Sequence, residues 1–191
     1  MTDITSDSVA ARRMSRSNTA ANGASEPSRA AQEDASHAEL VACMELLFFA
    51  YRDFTGGADA VLEEYGFGRA HHRVLHFVHR NPGLRVADLL DILKITKQSL
   101  ARVLKQLIDK GFIMQRAGND DRRERRLFVT AKGGRLSDKL TAQQIQHIDG
   151  ALAKAGPGAA EFARRFLFAM ITESDRPRVE ALVKIASGAR P

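Results

Sequence analysis

Residues 94–130 read KITKQSLARVLKQLIDKGFIMQRAGNDDRRERRLFVT, and this stretch decides how the chain is read. Leu100, Val103, Leu104, Leu107 and Ile108 recur at i, i+3, i+4, i+7 and i+8, the stripe of a helix with one buried side. The spacing predicts a helix over Lys97–Lys110, with Thr96 as its N-cap and Gly111 ending it. At about 100° per residue the opposite face carries Gln98, Arg102 and Lys105, with Ala101 between them. Two short β-like runs follow, Phe112–Arg116 and Arg125–Val129. The polar stretch Ala117-Gly118-Asn119-Asp120-Asp121 between them is a turn of hairpin type.

Upstream, a helix is expected over Arg69–Arg80, stopped by Asn81-Pro82-Gly83, and a short one over Val86–Leu93. Downstream, a long helix runs from Ala131 to Ala155, where Gly156-Pro157-Gly158 breaks it. One or two more helices reach Ala186, with Pro177 marking a boundary. The order is helix, helix, turn, helix, short turn, helix, hairpin, long helix. That order makes the chain mainly α, a winged helix-turn-helix with extra helices at both ends and a small β-hairpin wing.

The N-terminal helix is expected to open at Ser36, which with Glu39 resembles a capping box. Leu40, Val41, Met44, Leu47, Phe48, Tyr51 and Phe54 recur at helical spacing, and Leu46 and Phe49 fill the other side. A helix that is apolar most of the way round is buried on several faces, in a core or between subunits. Thr55-Gly56-Gly57 is expected to kink it before Val61–Tyr65. Half of residues 1–36 are Ala, Ser or Thr, so residues 1–35 read as a disordered tail. A single domain is expected over 36–186, with 69–130 as its winged part, 36–65 and 131–186 as flanking helices, and 187–191 as a short tail.

The formal charge of the 191-residue chain is +6, and it has one location. Residues 94–126 hold ten basic and four acidic side chains, which alone supply the whole excess. Concentrated charge of this kind is the footprint of a polyanion, because each phosphate neutralised releases counterions. Gln suits adenine and Arg suits guanine in a major groove, while Lys suits phosphate. A basic β-wing can set an Arg in a narrow minor groove, where the negative potential is enhanced.

Asp121-Arg122-Arg123-x-x-x-Leu127-x-Val129-Thr130 makes the match specific. With Asn81-Pro82-Gly83, a Leu-rich helix and the ending Leu107-x-x-x-Gly111-Phe112-Ile113, it resembles the MarR family of bacterial transcriptional regulators. The resemblance covers roughly Leu40–Leu140. It implies a homodimer held by the first and last helices, a near-palindromic double-stranded DNA operator, and a tendency to repression. Carried over by position, Lys97, Gln98, Ser99, Arg102 and Lys105 would meet the major groove or its phosphates. Asp121 would orient the wing, and Arg122 and Arg123 would belong to it, with Arg123 in the minor groove. The family also implies a pocket for a small lipophilic or aromatic effector, which here could involve Phe48, Tyr51, Arg52, His71, His72 and Arg73.

Other classes find less support. Gly-x-Ser-x-Gly, a Walker Gly-Lys-Ser/Thr loop and His-Glu-x-x-His are all missing from the sequence, so no enzyme and no cofactor are expected. A basic protein that binds nucleic acid without sequence preference stays open. His72, His76 and His79 form an i, i+4, i+7 stripe. One ion could join a pair, but the ends are about 10 Å apart along the axis, so a polar helix face is expected rather than a metal site. The single cysteine, Cys43, cannot form an internal disulfide and fits a reducing compartment, hence a cytoplasmic protein. Two roles are open for it: a thiol that senses oxidants, as in some regulators of this family, or a small hydrophobe packed among Leu40, Met44 and Leu47. Packing is the expectation.

Overall fold

The computed structural model describes residues 29–118 and 124–183. The chain divides into two units, residues 1–44 and 45–191. In the first, the described residues belong to the start of α1 (Arg29–Glu63), where Leu40 is exposed. This helix opens seven residues before the expected cap, so Ser36 is interior to it. Ala30, Ala31, Gln32, Glu33 and Ala35 are strong helix formers and give the helix no reason to wait for Ser36. Nor does Gly56-Gly57 interrupt it. The Thr55 hydroxyl donates back to the Tyr51 and Arg52 carbonyls at 3.0 and 3.1 Å, and Ala58, Val61 and Leu62 are anchored in the core.

The second unit holds α2 (Arg69–Arg80), β1 (Leu84–Arg85), α3 (Val86–Leu93) and α4 (Lys97–Asp109). After them come β2 (Ile113–Ala117), β3 (Arg125–Val129), α5 (Ala131–Ala155), α6 (Ala159–Ala169) and α7 (Arg176–Val183), the last preceded by a short 3-10 turn. Pro177 sits in the first turn of α7, where its missing N–H costs no hydrogen bond. The sheet is antiparallel in the order β1-β3-β2, with Leu84 opposite Leu127 and Ile113 opposite Val129. Strand β1 was not expected; two residues carry no alternation to read.

One core joins these parts. Leu62, Val74, Leu75, Val78, Leu89, Leu100, Leu107, Phe112, Ile113, Leu127 and Leu140 are fully buried in it. The wing grows from the core through a tight seam. Thr130 caps α5 by accepting the Gly133 N–H at 3.1 Å, and its own N–H donates to the Phe112 carbonyl at 3.0 Å. Gly133 must be glycine, because a Cβ there would stand 2.1 Å from that carbonyl oxygen. On the other side, α7 and the turn before it are pinned to α3. Lys94 Nζ lies 3.1 Å from Asp175, and Arg178 lies 3.4 Å from Asp91.

Candidate DNA interface and effector cavity

Helix α4 is held from three sides. Thr96 Oγ1 accepts the Ser99 N–H at 3.1 Å, so the first turn is capped as its sequence implies. Leu100, Val103, Leu104 and Leu107 are buried against the core. The third hold comes from α2. Gly68 N–H donates to His71 Nδ1 at 3.1 Å, which leaves the ring hydrogen on Nε2 to donate to Gln106 Oε1 at 2.6 Å. The His71 ring also stacks on Phe67 at 4.7 Å. His71 therefore braces α4; it does not line the cavity described below.

So fixed, α4 exposes Lys97, Gln98, Ser99, Ala101, Arg102 and Lys105. Lys105 Nζ pairs with Asp109 at 2.6 Å, an exposed i, i+4 contact that a phosphate would have to compete with. Capping, burial and exposure give a rigid helix whose free face is polar and cationic. Asp121, Arg122 and Arg123 lie outside the described residues. The strands that carry them are set: β2 and β3 pair from Ile113–Val129 to Ala117–Arg125, and Gly118 N–H donates to the Glu124 carbonyl at 3.0 Å.

A second feature is an open cavity of about 620 Å³ bounded by α1, α2 and α5, within the usual range for small-molecule pockets. Tyr51 and Phe54 come from α1, His72, Arg73 and His76 from α2, and Ile145 and Ile148 from α5. Arg69 lies over the Tyr51 ring and binds Asp59 at 2.9 Å, and both line the cavity. Burial holds the His72 imidazole below its ordinary range, while the Asp59 charge pulls the other way. Burial also lowers His76, and the positive groups of His72, Arg80 and His79 lower it further.

Of the expected pocket residues, Tyr51, His72 and Arg73 line the cavity. Phe48 and Arg52 do not. Phe48 is exposed, and Arg52 lies over Phe49 and binds Asp53 at 2.8 Å. Of the lining residues missed, which include Phe54, Asp59, Ile145 and Ile148, Arg69 and His76 had a legible signal: 69, 72, 73 and 76 fall at i, i+3, i+4 and i+7, one face of α2. His79 leaves that face and stands 3.6 Å from Asp138. Among the described residues, no group of three His, Cys, Asp or Glu could hold a metal ion. Cys43 is exposed, contrary to the expectation that it packs. No helix among the described residues is long and apolar enough to cross a membrane.

Comparisons with known proteins converge on one group. A family model described as the MarR family matches residues 65–124. The chain is 44% identical over 139 residues to the HTH-type transcriptional regulator PetP of Rhodobacter capsulatus, covering 73% of this chain and 84% of that protein. Among solved structures, the transcriptional regulator SlyA superposes with a TM-score of 0.59 at 19% identity, over 67% of this chain and 90% of that one. A crystal structure of MarR gives 0.57 at 23% identity, over 74% and 94%. A MepR–DNA complex from S. aureus gives 0.56 at 19%, over 66% and 94%. At those identities the structural likeness is one of fold.

Proposed function

Because the chain belongs to the MarR family of winged helix-turn-helix, DNA-binding transcriptional regulators, we propose that it is a homodimeric repressor that reads a near-palindromic operator. In this reading α4 enters the major groove, with Gln98, Ser99 and Arg102 at base edges and Lys97 and Lys105 at phosphates. The wing carries Arg123 into the neighbouring minor groove, oriented by Asp121, with Arg122 between them. One observation carries the proposal: α4 is capped, buried on one side and braced by His71, while Gln98 and Arg102 stand exposed in its N-terminal half. A recognition helix needs that combination, since its first turns are the part that reaches base edges.

Dimerisation is supported by apolar surface that this chain does not cover. Phe48 and Phe49 of α1, Phe162 and Leu167 of α6, and Met170 just after it are all more than half exposed. The cavity beside α1, α2 and α5 then takes a small aromatic or lipophilic effector that modulates operator affinity. Its mainly apolar wall surface, with polar groups that include Asp59, Arg69, His72, Arg73 and His76, fits such a molecule.

The test is binding of the DNA upstream of the gene, against a random duplex of equal length, over a salt series. A specific operator should bind roughly 10³-fold or more tighter than the random duplex. Arg102→Ala should flatten the preference at one base position in each half-site. Equal affinities for both duplexes at every salt concentration would instead make this a binder without sequence preference.

A further inference from the structure

The register of the sheet sets three arginines abreast. Arg85 of β1 lies opposite Arg126 of β3, and Arg126 lies opposite Arg116 of β2. Residues paired across strands share a face, so all three leave the same side of the sheet. That side is the one away from buried Leu127 and Ile113. With strands about 4.8 Å apart, the row spans roughly 10 Å. Like charges placed directly opposite each other destabilise an antiparallel pair, and here it happens twice.

Nearby carboxylates answer only part of this charge. Asp88 holds Arg85 through contacts of 2.7 and 2.8 Å. Glu124 divides its two oxygens between Arg85 at 3.4 Å and Arg126 at 3.2 Å. Among the described residues, three cations thus face two anions. Arg116 lies over the Phe128 ring at 5.3 Å, a cation–π contact that does not itself use its N–H donors. Arg126 Nε is buried and has no hydrogen-bond partner among the described residues. A buried donor without an acceptor costs stability, and an ordinary solvated face would have avoided it by exposing the group to water. The row also has a definite place: Ala117–Arg125, the next pair along, is the last before the hairpin turn.

We propose that Arg85, Arg116 and Arg126 form a binding site for the sugar-phosphate backbone of duplex DNA, at the base of the wing and separate from both its tip and α4. The inference rests on the reading of the chain as a DNA-binding regulator. Guanidinium groups match phosphate oxygens as planar forks, and a row of them suits consecutive phosphates of one strand. Glu124 and Asp88 keep the forks extended before DNA arrives. A site of this kind fixes the register of the protein on the duplex and carries no base preference.

The experiment uses the full chain and a random-sequence duplex of roughly three helical turns, so no operator need be known. Binding is followed by fluorescence anisotropy over a salt series for the wild type, Arg116→Gln, Arg126→Gln and the double variant. Each phosphate contact contributes about 0.9 to the slope of log K against log [salt], so the double variant should lose close to two units. Arg116→Lys should keep the slope. Circular dichroism melts establish that the variants are folded. If Arg126→Gln is unfolded, the exposed Arg116→Gln carries the test with a loss of about one unit. An unchanged slope in folded variants, with wild-type binding intact, overturns the row. A wild type that fails to bind the duplex even at low salt overturns the DNA-binding reading instead.

Discussion

Helices α2, α3 and α4 each spend their apolar residues on the core, whereas α6 and α7 bury none of theirs. Leu75, Leu89 and Leu107 are fully enclosed, while Phe162 of α6 is 71% exposed and stacks only on Phe166. The two regions are similarly greasy in sequence, but they answer to different partners. The winged part is completed by its own chain. The outer helices carry apolar surface that their own chain leaves open, and the proposed second copy would cover it.

The sharpest way to break this contrast is from the core side. Leu107→Ala should cost about 2–5 kcal/mol, because it leaves a cavity where α4 meets the rest of the core. Urea unfolding of the variant measures it, and a loss as small as that of a surface residue would show that the core is not cooperative across α4. Next comes the seam beneath the wing. Gly133→Ala places a Cβ 2.1 Å from the Phe112 carbonyl oxygen, which must then move. Overpacking of that kind should cost about 1–3 kcal/mol, read from the same denaturation curves.

A smaller effect belongs to the cavity wall between the two regions. His72 and His76 are held below the ordinary imidazole range, so the folded chain refuses protons that the unfolded chain accepts. Their contribution to stability is therefore complete above about pH 6.5 and declines as pH falls toward their folded values. The thermal midpoint of the wild type should thus fall more between about pH 7.5 and about pH 5.5 than that of His72→Gln/His76→Gln. Parallel curves for the two proteins would remove the histidines from the account. On the outer side, Phe162→Ser should leave the folding free energy within about 0.5 kcal/mol, as exposed positions do. Sedimentation should nonetheless show weaker self-association. A large loss of folding stability would mean that α6 already belongs to the core.

Most of the winged part could be read in advance because its ends are chemically marked. Asn81-Pro82-Gly83 stops α2, Thr96 caps α4, Gly111 at φ 74° ends its turn, and Gly156 ends α5. Where such marks were absent the reading slipped. The start of α1 lies in a run of Ala, Gln and Glu that marks no boundary, and β1 is two residues long. The cavity shows a different limit. His71 and His72 are neighbours in sequence but about 100° apart around α2. One braces Gln106 while the other lines the cavity. Choosing between them requires knowing which helix lies on which side, and composition does not say. Phe48 shows the same ambiguity from another direction, since spacing marks a face as apolar without saying whose surface will meet it.

The seam at Gly133 also settles how the longest helix of the second unit can move. With Thr130 bonded to Phe112 and no room for a Cβ at Gly133, the first turn of α5 is fastened to the root of the hairpin. Helix α5 is fastened again at Leu136 and Leu140, which the core buries, so only its residues beyond Leu140 form a free arm. Its 25 residues extend roughly 37 Å, with Ile145 and Ile148 on the wall of the cavity well out along the arm. A bend of about 5° beyond Leu140 would carry the free end through roughly 2 Å and leave the end beside the hairpin in place. The stiff end of the helix is the one beside the strands, and any travel is confined to the end that carries the cavity wall.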